Sequence, residues 1–169
     1  LDSWLSIVGY ISQQPQIFSG TMGYNAKYGL SEDRRKIASN EYIWEQARTV
    51  QADFVERLTD GLDTLVGERG IKLSGGQGQR LMILAAVMKD PRFMIIDEAT
   101  SSLDSSTEKL VQAGLEKALS RNCGALVIAH RLSTVRKCNK FIVIDQVNGS
   151  GSKIVGTGGS FEELYETCP

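Results

Sequence analysis

Three short, wholly apolar runs constrain the fold before any motif is read: Phe93-Met94-Ile95-Ile96, Ala125-Leu126-Val127-Ile128 and Phe141-Ile142-Val143-Ile144. Runs this short and this apolar suit strands buried on both faces, as in a parallel sheet covered by helices. Helical patterns separate them. Ser105-x-x-Glu108 reads as a capping box, and Leu110, Val111, Leu115, Ala118 and Leu119 then fall on one helical stripe. Gly124 stands between the end of that helix and the next run. Strand, helix, strand, helix, strand from Phe93 to Ile144 predicts an α/β fold with right-handed crossovers.

Upstream the texture changes. From Ser31 to Leu58 the pattern is helical throughout, with Ile43, Trp44, Ala47 and Val50 on one face and Phe54, Val55 and Leu58 continuing it. This predicts a helical insertion in the α/β core, with Trp44 in its interior. Near the end, Asn148-Gly149 inside the segment Gln146–Ser152 signals a hairpin with a longer loop, and Ser160-x-x-Glu163 caps a short last helix. There is no internal repeat and no low-complexity tract.

Composition narrows the partners. A chain of 169 residues is enough for one ordinary domain, and 41% hydrophobic with 23% charged residues is globular rather than disordered. The net charge of −1 gives no basic footprint for nucleic acid. No apolar run approaches the roughly 18 residues of a spanning helix. The three cysteines, Cys123, Cys138 and Cys168, are far apart and in no C-x-x-C spacing. They argue against a disulfide framework or a zinc site and favour a reducing compartment. Opening on Leu1 with no signal segment predicts an internal fragment of a longer protein.

The most specific motif is Leu73-Ser74-Gly75-Gly76-Gln77, five residues expected by chance about once per million starting positions. The amphipathic run Arg80 to Met88 that follows predicts a helix ending before Pro91. Ser74, Gly75 and Gly76 then sit at its N-terminus, where free backbone N–H groups and the helix dipole favour an anion. Glycines there admit a phosphate, and Ser74 adds a hydroxyl donor. A plain turn ahead of a core helix would use the same residue types.

The next motif weighs against that plainer reading. Phe93-Met94-Ile95-Ile96-Asp97-Glu98 puts two carboxylates at the C-terminal end of a buried strand, the edge where open α/β sheets bind ligands. Adjacent acids point apart on a strand, so they should have separate roles. Asp97 suits a Mg²⁺ position, and Glu98 suits a general base that polarises water.

Together these segments resemble the nucleotide-binding domain of an ABC transporter, from about Gly9 to Tyr165. Tyr10-Ile11-Ser12-Gln13-Gln14-Pro15 resembles the family's Q-loop, Ser101-Ser102-Leu103-Asp104 its D-loop and Ala129-His130-Arg131 its H-loop. Thr64-Leu65-Val66-Gly67-Glu68-Arg69-Gly70 and Phe18-Ser19-Gly20-Thr21 resemble segments of the exporters, closest to the multidrug-resistance (B-type) group.

The resemblance implies a P-loop NTPase (RecA-like) core with a mostly parallel sheet and an inserted helical subdomain. It divides the chain into a core strand and Q-loop over 1–20, a helical subdomain with the signature motif over 21–90, and an α/β core over 91–169. It implies ATP and Mg²⁺ as cofactors, with Glu98, His130 and Gln13 catalytic and Asp97 with Gln13 at the metal. Ser74, Gly75, Gly76 and Gln77 would grip the γ-phosphate held by a second nucleotide-binding domain in a head-to-tail dimer, and Asp104, from the D-loop across that interface, is counted with them as nucleotide-binding. Glu68 would approach the coupling helices of the transmembrane domains. Such a domain works at the cytoplasmic face of a membrane as part of an integral transporter.

Three departures stand out. The family's Walker A loop, G-x-x-x-x-G-K-[ST], is absent, as is the aromatic residue that stacks on adenine, so the chain alone is expected to bind ATP poorly and hydrolyse it negligibly. Gly78 stands where relatives carry a basic or polar residue, and Gln14 where an acid is common. Two rival readings remain: a soluble ABC-type ATPase of DNA repair or chromosome maintenance, and a truncated, non-catalytic fragment.

Overall fold

The computed structural model describes residues 2–68, 70–101, 103–120, 123–130, 132–135, 138–146 and 151–167. The chain divides into two compact units, Leu1–Ile128 and Ala129–Pro169.

The first unit is built on three parallel strands, β1 (Val8–Ile11), β4 (Phe93–Asp97) and β5 (Gly124–Ile128), in the order β1-β4-β5. Val8 pairs with Phe93 and Phe93 with Gly124, so all three strands run their carboxyl ends to one edge. A short helix α1 (Asp2–Ile7) leads into β1. Between β1 and β4 lies the expected helical region: α2 (Met22–Lys27), α3 (Glu32–Ile37), α4 (Asn40–Thr49), two 3₁₀ turns at Asp53–Arg57 and Gly61–Asp63, and the long α5 (Gly75–Met88). Ile43, Ala47, Val50 and Val55 are fully buried and Phe54 nearly so. Trp44 and Leu58 are half-buried against the same core.

The helix α5 is the spine of this unit. Leu81, Ile83, Leu84, Val87 and Met88 are all buried, giving a helix that is apolar on nearly every side and therefore surrounded. It packs against α2, α4, β1 and α6 (Ser105–Leu119). On α6 the buried positions are Val111, Gly114, Leu115 and Ala118. Leu110, expected on that stripe, is 42% exposed. The expected cap is also displaced by one residue: Asp104 is the N-cap, its carboxylate accepting from Ser106 N and Thr107 N, and Ser105 is the first helical residue. Gly124 is not part of a helix end but opens β5.

Two segments singled out as exporter-like meet each other. β2 (Gly20–Thr21) and β3 (Leu65–Val66) form a small antiparallel ladder, Gly20 opposite Val66 and Thr21 opposite Leu65. Met22 N extends it by donating to Thr64 O at 2.9 Å. Arg69 of that segment lies outside the described residues.

The second unit holds α7 (Leu132–Val135), β6 (Phe141–Gln146), β7 (Ser152–Gly158) and α8 (Phe161–Thr167). Here the strand expectation is corrected. β6 does not join the parallel sheet but pairs antiparallel with β7, Phe141 opposite Gly158. A local hairpin ladder needs no crossover; the turn expected at Asn148-Gly149 lies outside the described residues. Ser160 Oγ accepts from Glu163 N at 3.1 Å, as the last cap requires.

Burial on both faces is also corrected. Only the central strand β4 alternates buried and half-buried residues. On the edge strand β5, Leu126 and Ile128 are about half exposed, and Ile142 and Ile144 of β6 are more so. An edge strand or a two-stranded ladder has fewer neighbours to cover it than a middle strand.

Candidate functional site

At the carboxyl ends of β1 and β4 the structure brings three of the expected residues together. Glu98 follows β4 with φ of +44°, a left-handed conformation that a side-chain-bearing residue adopts at a cost of about 1–2 kcal/mol. Two backbone bonds hold it there: Glu98 N donates to Ile128 O at 2.9 Å, and Ser101 N donates to Glu98 O at 3.1 Å. The reversal turns the Glu98 side chain away from the strand's alternation and toward the loop after β1. Gln13 Nε2 donates to Glu98 Oε2 at 2.8 Å and lies 3.3 Å from Ser101 Oγ.

Asp97 stays on the strand, opposite Ile128. Tyr10 OH lies 3.5 Å from Asp97 Oδ2, reaching diagonally from β1, where Tyr10 is paired with Ile95. The two acids therefore face different partners. The carboxylate of Asp97, the amide oxygen of Gln13 and the hydroxyl of Ser101 are hard oxygen donors of the kind Mg²⁺ takes. No cluster of three or more His, Cys, Asp or Glu occurs among the described residues.

A second hydrogen-bonded group forms the N-terminus of α5. Ser74 is the N-cap: its Oγ accepts from Gln77 N at 3.2 Å, while Gln77 Oε1 accepts from Ser74 N at 2.9 Å. The Ser-x-x-Gln capping box was legible in the motif itself and was missed because the glycines drew the reading toward phosphate. The cap is compatible with anion binding. Accepting from Gln77 leaves the Ser74 hydroxyl proton to donate, and the box uses the oxygen of the Gln77 amide rather than its NH₂. Ser74 and Gly75 are exposed, whereas Gly76 is buried. A Cβ on Gly76 would fall 1.9 Å from Thr107 Cγ2, so any larger residue here must displace the Thr107 side chain of α6.

Asp104 sits across from that N-terminus on α6. Hydrogen bonds from the Ser106 and Thr107 side chains and from their backbone hold its carboxyl well below the usual range. Ser106 Oγ donates to Asp104 Oδ1 at 2.5 Å. Ser102 and Arg131 of the expected D- and H-loops lie outside the described residues. His130 is exposed and belongs to the second unit. Glu68, in the turn after β3, is exposed.

The ABC transporter family model matches residues 1–101, and the chain belongs to that family. It is 44% identical, over its whole length, to a multidrug resistance ABC transporter ATP-binding and permease protein of Lactococcus lactis, of which it covers 27%. It is 42% identical over 94% of its length to an ATP-dependent lipid A-core flippase of Chromobacterium violaceum, again covering 27%. Among solved structures, a bacterial Atm1-family ABC exporter with ATP bound superposes with a TM-score of 0.75 at 33% identity, over 95% of this chain and 26% of that one. The chain thus spans about a quarter of the length of these relatives. The fold is that of an exporter nucleotide-binding domain, an α/β P-loop NTPase core with a parallel sheet. Among the described residues no helix is long and apolar enough to cross a membrane.

Proposed function

We propose that this chain is the Q-loop-to-C-terminal part of the ATP-hydrolysing domain of an ABC exporter, working on the cytoplasmic face of a membrane. The observation that carries this reading is the Gln13–Glu98 hydrogen bond at 2.8 Å, made from a glutamate held in a left-handed backbone at the carboxyl edge of a parallel sheet. Strain of that kind persists where the surroundings over-determine it, which is typical of catalytic groups.

In this reading Glu98 accepts the proton of the attacking water, and Gln13, within reach of the same carboxylate, orients that water. Asp97 and Gln13 would hold Mg²⁺, whose charge offsets that of the phosphates. His130 would contact the γ-phosphate. Ser74, Gly75, Gly76 and Gln77 offer N–H and O–H donors at the positive end of α5 to the γ-phosphate of a partner domain's ATP. Asp104 shapes the facing loop at the same head-to-tail interface. The sequence contains no G-x-x-x-x-G-K-[ST] loop to cradle the triphosphate. The divisions 1–20, 21–90 and 91–169 are proposed as core strand with Q-loop, helical subdomain and α/β core. The transmembrane domains, which relatives carry in the same polypeptide, are the second partner.

Glu98→Gln in the full-length exporter tests this. The amide keeps the shape and removes the base, so ATP binding persists, an ATP-bound dimer accumulates, and turnover falls by about 10²–10⁴-fold. Near-normal steady-state hydrolysis would remove Glu98 from the role of general base.

A further inference from the structure

The signature helix α5 carries a second glutamine that the mechanism above does not use. Gln79 is 1% exposed, and its Nε2 donates to the Ser12 carbonyl at 3.1 Å. A buried amide needs a partner to replace its lost hydration. Here the partner is the backbone of the residue immediately before Gln13.

The neighbouring contacts bracket the same loop. A Cβ on Gly78 would lie 3.0 Å from Pro15 Cγ and 3.2 Å from Pro15 Cβ, so the bare glycine gives Pro15 its seat on the helix. The Ser12 hydroxyl donates to Gln14 O at 2.6 Å and stands 3.5 Å from Met82 Sδ. Positions 78, 79 and 82 share one face of α5 by helical spacing. Ser12 and Pro15 are thus both set down on that face. Gln13, between them, is exposed and reaches across to Glu98.

We propose that Gln79 is a positioning residue for hydrolysis: by holding the Ser12 carbonyl it fixes the backbone from which Gln13 meets Glu98. Because the same helix begins at Ser74–Gln77, the Gln79 hydrogen bond ties the seating of that N-terminus on a partner's nucleotide to the geometry of the Gln13–Glu98 pair. The inference rests on the ATPase reading given above.

The test is Gln79→Met in the full-length exporter, which keeps side-chain length and helix propensity and removes the donor. The expected result is a kcat about tenfold lower with the KM for ATP unchanged within about twofold. The double variant Gln13→Ala/Gln79→Met should turn over no more slowly than Gln13→Ala alone, because Gln79 acts only through Gln13. A wild-type kcat in Gln79→Met, or losses that multiply in the double variant, would overturn the proposal. Gln79→Leu, of similar volume and without a donor at any pH, is the second variant and should lose turnover in the same way. Failure of both variants to assemble with a wild-type KM would make Gln79 a packing residue and would also overturn it. Glu98→Gln, run alongside, separates the two ideas. Turnover retained there defeats the ATPase reading itself, whereas turnover lost there with Gln79→Met silent defeats only the positioning role.

Discussion

Ser74 serves two ends with one hydroxyl: its lone pair caps α5, and its proton is left to meet an anion. These roles separate by mutation. Ser74→Ala should cost about 1 kcal/mol of stability through the lost cap, read from the denaturant midpoint. Ser74→Asp should restore that stability, since aspartate caps as well as serine, yet place a negative charge where the proposed function brings a phosphate. The Asp variant should therefore be as stable as wild type and defective in ATP-driven dimerisation. Equal loss of stability in both variants would contradict the capping geometry. Glu98 shows the limit of legibility at this scale. Its place after an apolar strand was readable, but its left-handed backbone was not, because no glycine or asparagine announces it and the conformation is imposed by bonds to Ile128 and Ser101. Gln79 was equally silent, a polar letter in a helix whose value lies in a backbone carbonyl 67 residues away.

Among the elements, α6 starts from a single carboxylate. Asp104 carries its charge far more readily in the folded chain than unfolded, where its ordinary value is 3.8, because Ser106 and Thr107 donate to it. With a depressed folded value, its stabilisation is complete above the unfolded value and is lost as pH falls below it toward the folded one. Asp104→Asn should therefore flatten the acid limb of the Tm-against-pH curve below about pH 4 while leaving the neutral-pH Tm little changed. A limb as steep as wild type would place the acid sensitivity elsewhere. The same scale explains which strands were read well. The runs in β4, β5 and β6 are all wholly apolar, yet β4 is the middle of a sheet, β5 an edge and β6 half of a hairpin. Periodicity reports what a strand is made of; its neighbours decide how much is covered. The two-residue strands β2 and β3 left no periodic trace at all.

On the scale of the whole molecule, the spacing of motifs was informative because it places each one at a sheet edge or a helix start, and parallel strand order then gathers Gln13, Asp97 and Glu98 without further instruction. What spacing could not provide was the division at Ile128, which sets His130 in a separate unit. The sheet's outer strand has a further consequence, for handling rather than for chemistry. Gly124–Ile128 contains no charge, no proline and no bulge, the usual guards of an open strand, and its Leu126 and Ile128 stand half in water. A chain produced by itself therefore offers other copies a sticky template, and its solution behaviour should be governed by self-association before catalysis is ever reached. Leu126→Lys should raise the monomeric fraction in sedimentation with the helical circular dichroism unchanged, and an unaltered aggregate content would mean that some other surface sets the colloidal fate of the chain.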